Sequence, residues 1–169
     1  PLNLSTNKLE KKMSEWVLLL GGSTGHGAAT AKRLARDGFG ITAFHFDRGD
    51  AKKIAEETIA EVNNITKGNC HYFNTNAASE ESMDRYIPKI NEITNGKPLK
   101  LLLHSIAFGT TTNFFGEKPV TQRQMDMTVH VMGNSLLYWT QKLHQAKLLS
   151  SGSRIIGLTS EGNYLAMEI

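Results

Sequence analysis

A glycine-rich stretch at residues 21–27, Gly-Gly-Ser-Thr-Gly-His-Gly, carries the clearest potential for chemistry in this sequence. Glycine tolerates positive φ and lets a bound group approach the backbone closely. A helix that begins at such a turn offers unpaired N–H groups and its positive dipole end to phosphates. The stretch therefore predicts a nucleotide-binding loop, although a glycine-rich connection without a ligand is the simpler alternative. The predicted binding residues are Gly21, Ser23, Thr24, Gly25, His26 (through its backbone) and Gly27.

Short apolar runs and amphipathic stretches alternate on either side of this turn. The runs predict strands at residues 16–20, 41–46, 70–73, 99–105 and 154–158. The amphipathic stretches predict helices at 25–37, 50–66, 79–94 and 121–149. Apolar strands that alternate with helices are typical of a parallel sheet covered on both faces. We therefore expect an α/β fold with a doubly wound parallel sheet.

Composition narrows the class of protein. With 169 residues, 40% hydrophobic and 21% charged, the chain suits one globular domain and is not typical of a disordered segment. The single cysteine, Cys70, favours a reducing compartment, and we expect a cytoplasmic protein. No apolar run approaches the roughly 18 residues of a membrane helix. Interspersed charges and scattered histidines argue against nucleic-acid binding and a metal site.

The beginning of the chain looks unlike the rest. The sequence starts with Pro1, and its first methionine is Met13. We therefore expect residues 1–15 to be a leader or cloning remnant, with the dinucleotide-binding domain at 16–169.

The end of the second predicted strand bears on the choice of nucleotide. A carboxylate there binds the adenosine ribose 2′-OH, whereas an arginine accommodates a 2′-phosphate. His45 occupies the usual acidic position, and Phe46, Asp47 and Arg48 follow. We expect His45, Phe46 and Arg48 to contact the cofactor. Arg48 favours NADPH, while Asp47 keeps NADH open.

Several motifs together resemble the short-chain dehydrogenase/reductase family. The glycine spacing is Gly-x-x-x-Gly-x-Gly, and Asn76-Ala77 follows the third strand. The segment His-Ser-Ile-Ala-Phe-Gly at 104–109 is similar to that of enoyl-acyl-carrier-protein reductases within the family, and Leu-Thr-Ser-Glu-Gly follows the fifth strand at 158–162. The resemblance implies a Rossmann-type fold that binds NADPH or NADH. It implies that His104 fixes its loop and that the following residues contact cofactor: Asn76, Ala77, Ser105, Ile106, Ala107 and Thr159. Gly109 is the implied substrate contact.

The same resemblance implies an activity. It is reduction of the trans-2 double bond of an enoyl thioester on acyl carrier protein, in fatty-acid synthesis. Ser160 is expected nearest the reacting carbonyl, and the family's catalytic tyrosine and lysine are expected beyond residue 169, with the last strands and helices of the fold. A 3-ketoacyl or other carbonyl reductase is the alternative enzyme. A nucleotide-binding domain without turnover is the alternative from another class.

The predicted helix at 121–149 carries an apolar stripe. Its members are Met125, Val129, Met132, Leu136, Trp139 and Leu143. Core packing explains such a stripe, but the resemblance implies that this helix pairs with its copy in a dimer or tetramer. Tyr138 and Trp139 are adjacent, so we expect one in the core and the other toward a partner. His130 takes the place where many family members have an asparagine used in proton relay.

Overall fold

Five parallel strands form the central sheet of the computed structural model, which describes residues 15–160. The strands are β1 (Trp16–Leu20), β2 (Gly40–His45), β3 (Cys70–Asn74), β4 (Leu101–His104) and β5 (Arg154–Gly157). The helices are α1 (Gly25–Arg36), α2 (Ala51–Thr66), α3 (Glu80–Ile93), α4 (Gln122–Val129), a π-helix (His130–Asn134) and α5 (Ser135–Gln145). The strand order is β3-β2-β1-β4-β5, which confirms the predicted doubly wound fold.

Helices cover both faces of this sheet, which explains why its central strand is apolar throughout. Val17 and Leu19 of β1 belong to a core that includes Ala31 and Ala35 of α1. Leu18 and Leu20, on the opposite face, belong to a core that includes Trp139 and Leu143 of α5. Because side chains alternate along a strand, β1 supplies both cores at once.

Local signals locate most boundaries to within one or two residues. Gly38 has a φ of +87° just after α1, where glycine avoids the strain of a side chain. The Ser79 hydroxyl accepts a hydrogen bond from the Ser82 N–H at 3.1 Å and caps α3 as predicted. Strand β4 is shorter than the predicted 99–105, because the Leu99 N–H bonds to the Leu148 carbonyl instead of a strand partner.

The helix predicted over 121–149 is present as one helical run from Gln122 to Gln145, but it differs from the prediction in its interior and at its end. The helix begins after Thr121, whose side chain forms a capping box with Gln124, but a π-helical turn interrupts it at His130–Asn134. It ends at Gln145, and Lys147 adopts a φ of +59°. The chain then returns so that Leu148 is fully buried. A Schellman-type cap closes this end, since the Leu148 N–H bonds to the Leu143 carbonyl and the Lys147 N–H to the His144 carbonyl.

The apolar stripe of this interrupted helix divides into two parts. Trp139 and Leu143 are buried, whereas Met125, Val129 and Met132 are 37–51% exposed. Core packing therefore explains only the second half of the stripe. Of the adjacent pair Tyr138 and Trp139, the sequence predicts one in the core and the other toward a partner. Trp139 is the buried one and Tyr138 is partly exposed, while contact of Tyr138 with a partner stays a prediction.

Strand β5 pairs with β4 at one edge of the sheet, within the described residues. Its side chains Ile155 and Ile156 are about half exposed. The predicted leader falls outside the described residues except for Glu15, and so do Glu161 and Gly162 of the motif after β5.

Candidate active site

A cavity of about 350 Å³ opens at the carboxyl ends of the strands. It lies where β1 has β2 on one side and β4 on the other, the point at which doubly wound sheets bind their ligands. The predicted residues that line it are Gly21, Ser23, Thr24, His45, Phe46, Asn76, Ala77, Ile106 and Ala107. Three separate predictions, from the glycine turn, the second strand and the family resemblance, thus meet at one cavity.

In the glycine turn, the backbone of residues 21–22 lies close to the backbone of β2 and of α1. The N–H groups of Gly21 and Gly22 both donate to the Phe44 carbonyl, at 2.9 and 3.0 Å. A Cβ atom on Gly27 would overlap the Gly21 carbonyl oxygen. Gly25 has a φ of +52° and open space where a side chain would begin. Gly25 and Gly27 therefore do not line the cavity but shape the turn that does.

The beginning of α1 has unpaired donors and no acidic side chain, which suits the binding of an anion. Thr24 is the N-cap residue with extended backbone, yet its side chain makes no capping hydrogen bond. The first turn of α1 contains no acidic residue, and the first N–H groups of any helix lack internal partners. This donor set fits the pyrophosphate of a dinucleotide, because the N–H groups and the helix dipole both favour negative charge.

One carboxylate oxygen at the end of β2 binds two neighbours. The Oδ2 atom of Asp47 accepts from the Ser23 hydroxyl at 2.5 Å and lies 2.8 Å from Nδ1 of His45. All three residues line the cavity, and Ser23 and His45 are buried. His45 thus faces Asp47 as well as the site, a pairing that the sequence did not predict.

Arg48, the predicted phosphate-binding residue, is not part of the cavity lining but stacks on a residue that is. Its guanidinium is 4.5 Å from the centre of the Phe46 ring, and Arg48 does not line the cavity. Phe46 itself is about half exposed and does line the cavity.

The turn after β3 is held by the interrupted helix. Asn76 accepts from the Ala78 N–H through Oδ1 at 3.0 Å. The Ala77 carbonyl accepts from Nε1 of Trp139 at 2.7 Å, and the Ala78 carbonyl lies 3.0 Å from Nε2 of His130. A carbonyl oxygen only accepts, so this contact makes Nε2 of His130 a donor. The π-helical turn therefore helps to fix the wall of the cavity formed by Asn76 and Ala77.

His104 anchors the loop after β4, as the resemblance implied. Its Nε2 atom lies 2.8 Å from the Ser135 hydroxyl, which itself donates to the Val131 carbonyl at 2.7 Å. The hydroxyl proton is used, so Nε2 donates. Burial lowers the pKa of His104, which favours the neutral ring despite nearby backbone hydrogen bonds that raise it.

Beyond this anchor the cavity becomes apolar. Its wall there consists of Ile106, Phe108, Met127 and Val131. Gly109, the predicted substrate contact, does not line the cavity, because it packs against Thr128, whose Cγ2 would be 2.8 Å from an added Cβ.

The remaining predicted residues do not line this cavity. They are His26, Ser105, Thr159 and Ser160. Ser105 supports the turn instead, because its carbonyl oxygen blocks a side chain at Gly21. Thr159 and Ser160 follow β5 and are exposed, and the catalytic role of Ser160 stays a prediction.

Sequence reasoning did not place several lining residues in the site. They are Phe44, Thr75, Phe108, Met127 and Val131. Asp47 and His130, which the sequence singled out as an acid near the end of the second strand and as the residue in place of the relay asparagine, also line the cavity. Met127 and Val131 carry no such signal, because only the packing of the interrupted helix brings them to the cavity.

Fold and cavity together define a doubly wound α/β domain with a cavity at the switch point of its sheet. The family model for short chain dehydrogenase matches residues 15–166, and the chain therefore belongs to the short-chain dehydrogenase family.

Solved structures agree on the fold. A short-chain dehydrogenase/reductase from Serratia marcescens BCRC 10948 has a TM-score of 0.72 and 22% identity, over 90% of this chain and 58% of that one. A short chain dehydrogenase from Burkholderia cenocepacia J2315, in complex with NADP, has a TM-score of 0.65 and 21% identity, over 85% and 54%. The chain thus spans little more than half the length of these proteins. A search of curated proteins gave no match.

Within 15–160, no helix is long and apolar enough to cross a membrane. The same part of the chain contains no group of three or more metal-ligating side chains.

Proposed function

We propose that this protein is an NAD(P)H-dependent oxidoreductase that reduces the trans-2 double bond of an enoyl thioester carried on acyl carrier protein. One observation carries the proposal: a single cavity joins the glycine turn to an apolar wall, to which Ile106 and Phe108 of the enoyl-reductase-like segment at 104–109 contribute. The family model supports the oxidoreductase class, and that segment supports the substrate.

Each end of the cavity has its own task in this proposal. The glycine turn and the first N–H groups of α1 bind the pyrophosphate. Asn76 and Ala77, fixed by Trp139 and His130, border the adenine. When bound, the reduced nicotinamide supplies the hydride. Ile106 and Ala107 lie on the nicotinamide side and keep it oriented.

The apolar wall suits an acyl chain. Phe108, Met127 and Val131 present carbon and sulfur to the cavity, and such surfaces gain from contact with a methylene chain. A small polar ketone makes less use of this wall, which favours the enoyl thioester over a general carbonyl substrate.

A carbonyl reductase, including a 3-ketoacyl reductase, is the second candidate. Ser160 favours it, since a hydroxyl just after β5 can donate a hydrogen bond to a ketone oxygen. A nucleotide-binding domain without turnover is the third, and it differs from both in predicting binding alone.

Turnover of two matched thioesters separates these functions. The protein that carries this chain is mixed with NADH or NADPH, and loss of absorbance of the reduced cofactor is followed with crotonyl and acetoacetyl thioesters. We expect faster turnover of the crotonyl thioester. Preference for the acetoacetyl thioester would support the carbonyl reductase, and cofactor binding without turnover of either would support the domain without activity.

We also propose that the protein forms a dimer or tetramer through the helix at 121–149. The exposed side chains Met125, Val129, Met132 and Leu137 give this helix an apolar surface. Size-exclusion chromatography with light scattering tests this, and Met132→Glu with Leu137→Glu should yield monomers. The reaction and the single cysteine favour the cytoplasm.

A further inference from the structure

Two ring N–H groups of the interrupted helix bind neighbouring carbonyls in the turn after β3. Nε2 of His130 lies 3.0 Å from the Ala78 carbonyl, and Nε1 of Trp139 lies 2.7 Å from the Ala77 carbonyl. Both alanines are buried. A third bond, from the Ala78 N–H to Oδ1 of Asn76 at 3.0 Å, lies within the turn itself. The turn is therefore fixed by two side chains from the helix and by one of its own.

A regular α-helix could not present both rings to the same turn. It rotates by about 100° per residue, so residues nine positions apart, as His130 and Trp139 are, would face roughly opposite sides. A π-turn contains one residue more than an α-turn. Here the Ser135 N–H bonds to the His130 carbonyl, five residues back. The two rings are then separated as eight α-helical residues would be, by about 80°.

Side-chain bonds compensate for the backbone bond that the π-turn breaks. The Ser135 N–H is given to His130 and not to the Val131 carbonyl, four residues back. The Ser135 hydroxyl donates to that carbonyl instead, at 2.7 Å, and Nε2 of His104 donates to the hydroxyl across 2.8 Å. Val131, Ser135 and His104 are all buried. Strand β4 thus stabilises the π-turn in the position that directs His130 to the turn after β3.

The His130 ring is directed away from the place where proton transfer is expected. Its Nε2 hydrogen is used by the Ala78 carbonyl, in the turn that leaves β3. Ser160 follows β5, as does the expected tyrosine, and β3 and β5 form opposite edges of the described sheet. His130 therefore occupies the sequence position of the relay asparagine but makes its bond on the other side of the site.

We propose that His130, which the π-turn brings to the turn after β3, is a positioning residue for the cofactor and takes no part in proton relay. The inference rests on the proposed function, in which Asn76 and Ala77 border the adenine. Because both carbonyls of the turn are already bonded, the turn is ordered before the cofactor arrives, and less conformational entropy is lost on binding. Loss of the His130 donor therefore weakens cofactor binding and leaves the chemical step unchanged.

Two amide variants distinguish positioning from relay. The amide nitrogen of glutamine extends about as far from the backbone as Nε2 of histidine, whereas that of asparagine reaches only as far as Nδ1. His130→Gln should therefore keep the bond to the Ala78 carbonyl, and His130→Asn should lose it although it restores the asparagine of the family. Calorimetry with NADH and NADPH measures dissociation constants. We expect His130→Asn to weaken the tighter-binding cofactor by about tenfold and His130→Gln by less than about threefold.

Two further measurements separate this role from a general loss of stability. Without cofactor, backbone amides of residues 76–79 should exchange hydrogen faster in His130→Asn than in the wild type or His130→Gln. With crotonyl thioester, His130→Asn should raise KM for the cofactor, while kcat at saturating cofactor and its pH profile stay within about twofold. His144→Asn, at an exposed position in the last turn of α5, is the matched control and should change none of these quantities.

Deletion of Gly133 tests the role of the π-turn. Gly133 lies within that turn, is exposed and has open space where a side chain would begin. Removing it leaves eight α-helical positions between the two rings, so the deletion variant should bind NADH within about threefold of the wild type. A folded deletion variant that binds more than about tenfold more weakly would contradict the role given to the π-turn.

Three other results would overturn the inference, and the His130 pair yields them whether or not the deletion variant folds. They are unchanged cofactor affinity in His130→Asn, equal affinity losses in His130→Asn and His130→Gln, or a fall in kcat in His130→Gln that His130→Asn does not show. The last would assign His130 to proton relay. Each result leaves the proposed reductase intact, whereas a folded wild-type protein that binds neither dinucleotide would overturn the proposed function itself.

Discussion

Trp139 donates its indole N–H to the carbonyl of Ala77 across 2.7 Å, although the two residues are 62 positions apart in the chain. Both are buried. The bond connects the helix after the π-helical turn with the turn after β3 that lines the cavity. Core packing and the geometry of the site therefore depend on the same side chain.

Replacing Trp139 by phenylalanine should lower both the stability of the fold and the affinity for the cofactor. Trp139→Phe leaves the buried Ala77 carbonyl without its donor, which costs about 1–3 kcal/mol of unfolding free energy. Urea denaturation measures this, and NADH binding should weaken as well. Tyr138→Phe, at the adjacent and partly exposed position, should change stability by less than about 0.5 kcal/mol. Equal effects of the two variants would contradict the role given to the indole.

The two glycines at the beginning of α1 should respond differently to alanine. Gly27→Ala places a Cβ on the Gly21 carbonyl, so α1 must move away from the turn and dinucleotide binding should be lost. Gly25→Ala meets open space but must adopt a φ of +52°, a strain of roughly 1–2 kcal/mol. Chemical denaturation and calorimetry with NADH compare them. Unchanged cofactor affinity in a folded Gly27→Ala variant would contradict the phosphate-binding turn.

Acid should destabilise the fold through His104. Burial lowers its pKa in the folded state, while the unfolded chain titrates near 6.5. Below about 6.5 the unfolded state binds more protons, so stability is full above that pH and falls as the pH is lowered, by up to about 1.4 kcal/mol per unit.

The slope of stability against pH isolates this contribution. His104→Gln should flatten it between about pH 6.5 and 5, whatever the absolute stability of the variant. His71, whose pKa is also lowered by burial, contributes in the same direction. A double variant with His71→Gln should therefore be flatter than either single one, and an unchanged slope in His104→Gln would refute the assignment.

The apolar wall of the cavity should make KM depend on the length of the acyl chain of the substrate. Phe108→Ala removes part of that wall and should raise KM for long enoyl thioesters by about tenfold, since contact with a large apolar side chain contributes about 1.5 kcal/mol. Short crotonyl thioesters should change little. Phe114→Ala, in the same loop but 68% exposed and outside the cavity lining, is the matched control. Equal changes for both chain lengths would show that Phe108 does not contact the acyl chain.

The sequence by itself determined the order of strands and helices, the doubly wound class and the glycine turn. These are local properties, because an apolar run of five residues or a glycine spacing acts within one element. Even the boundary at Ser79 follows from a side chain that bonds three residues away. The expected cavity residues after β1, β2 and β4 follow too, since parallel strands bring their carboxyl ends to one edge.

Tertiary structure alone decided the rest. The joining of Ser23 and His45 on Asp47, the interruption at His130–Asn134 and the return of Leu148 to the core each depend on contacts between distant parts of the chain. Helical periodicity continues through residue 149, yet the chain leaves the helix at Gln145, and the Leu148 side chain is buried while its carbonyl accepts from the Leu99 N–H. Register between elements, which no single segment encodes, determines which polar atoms come within bonding distance.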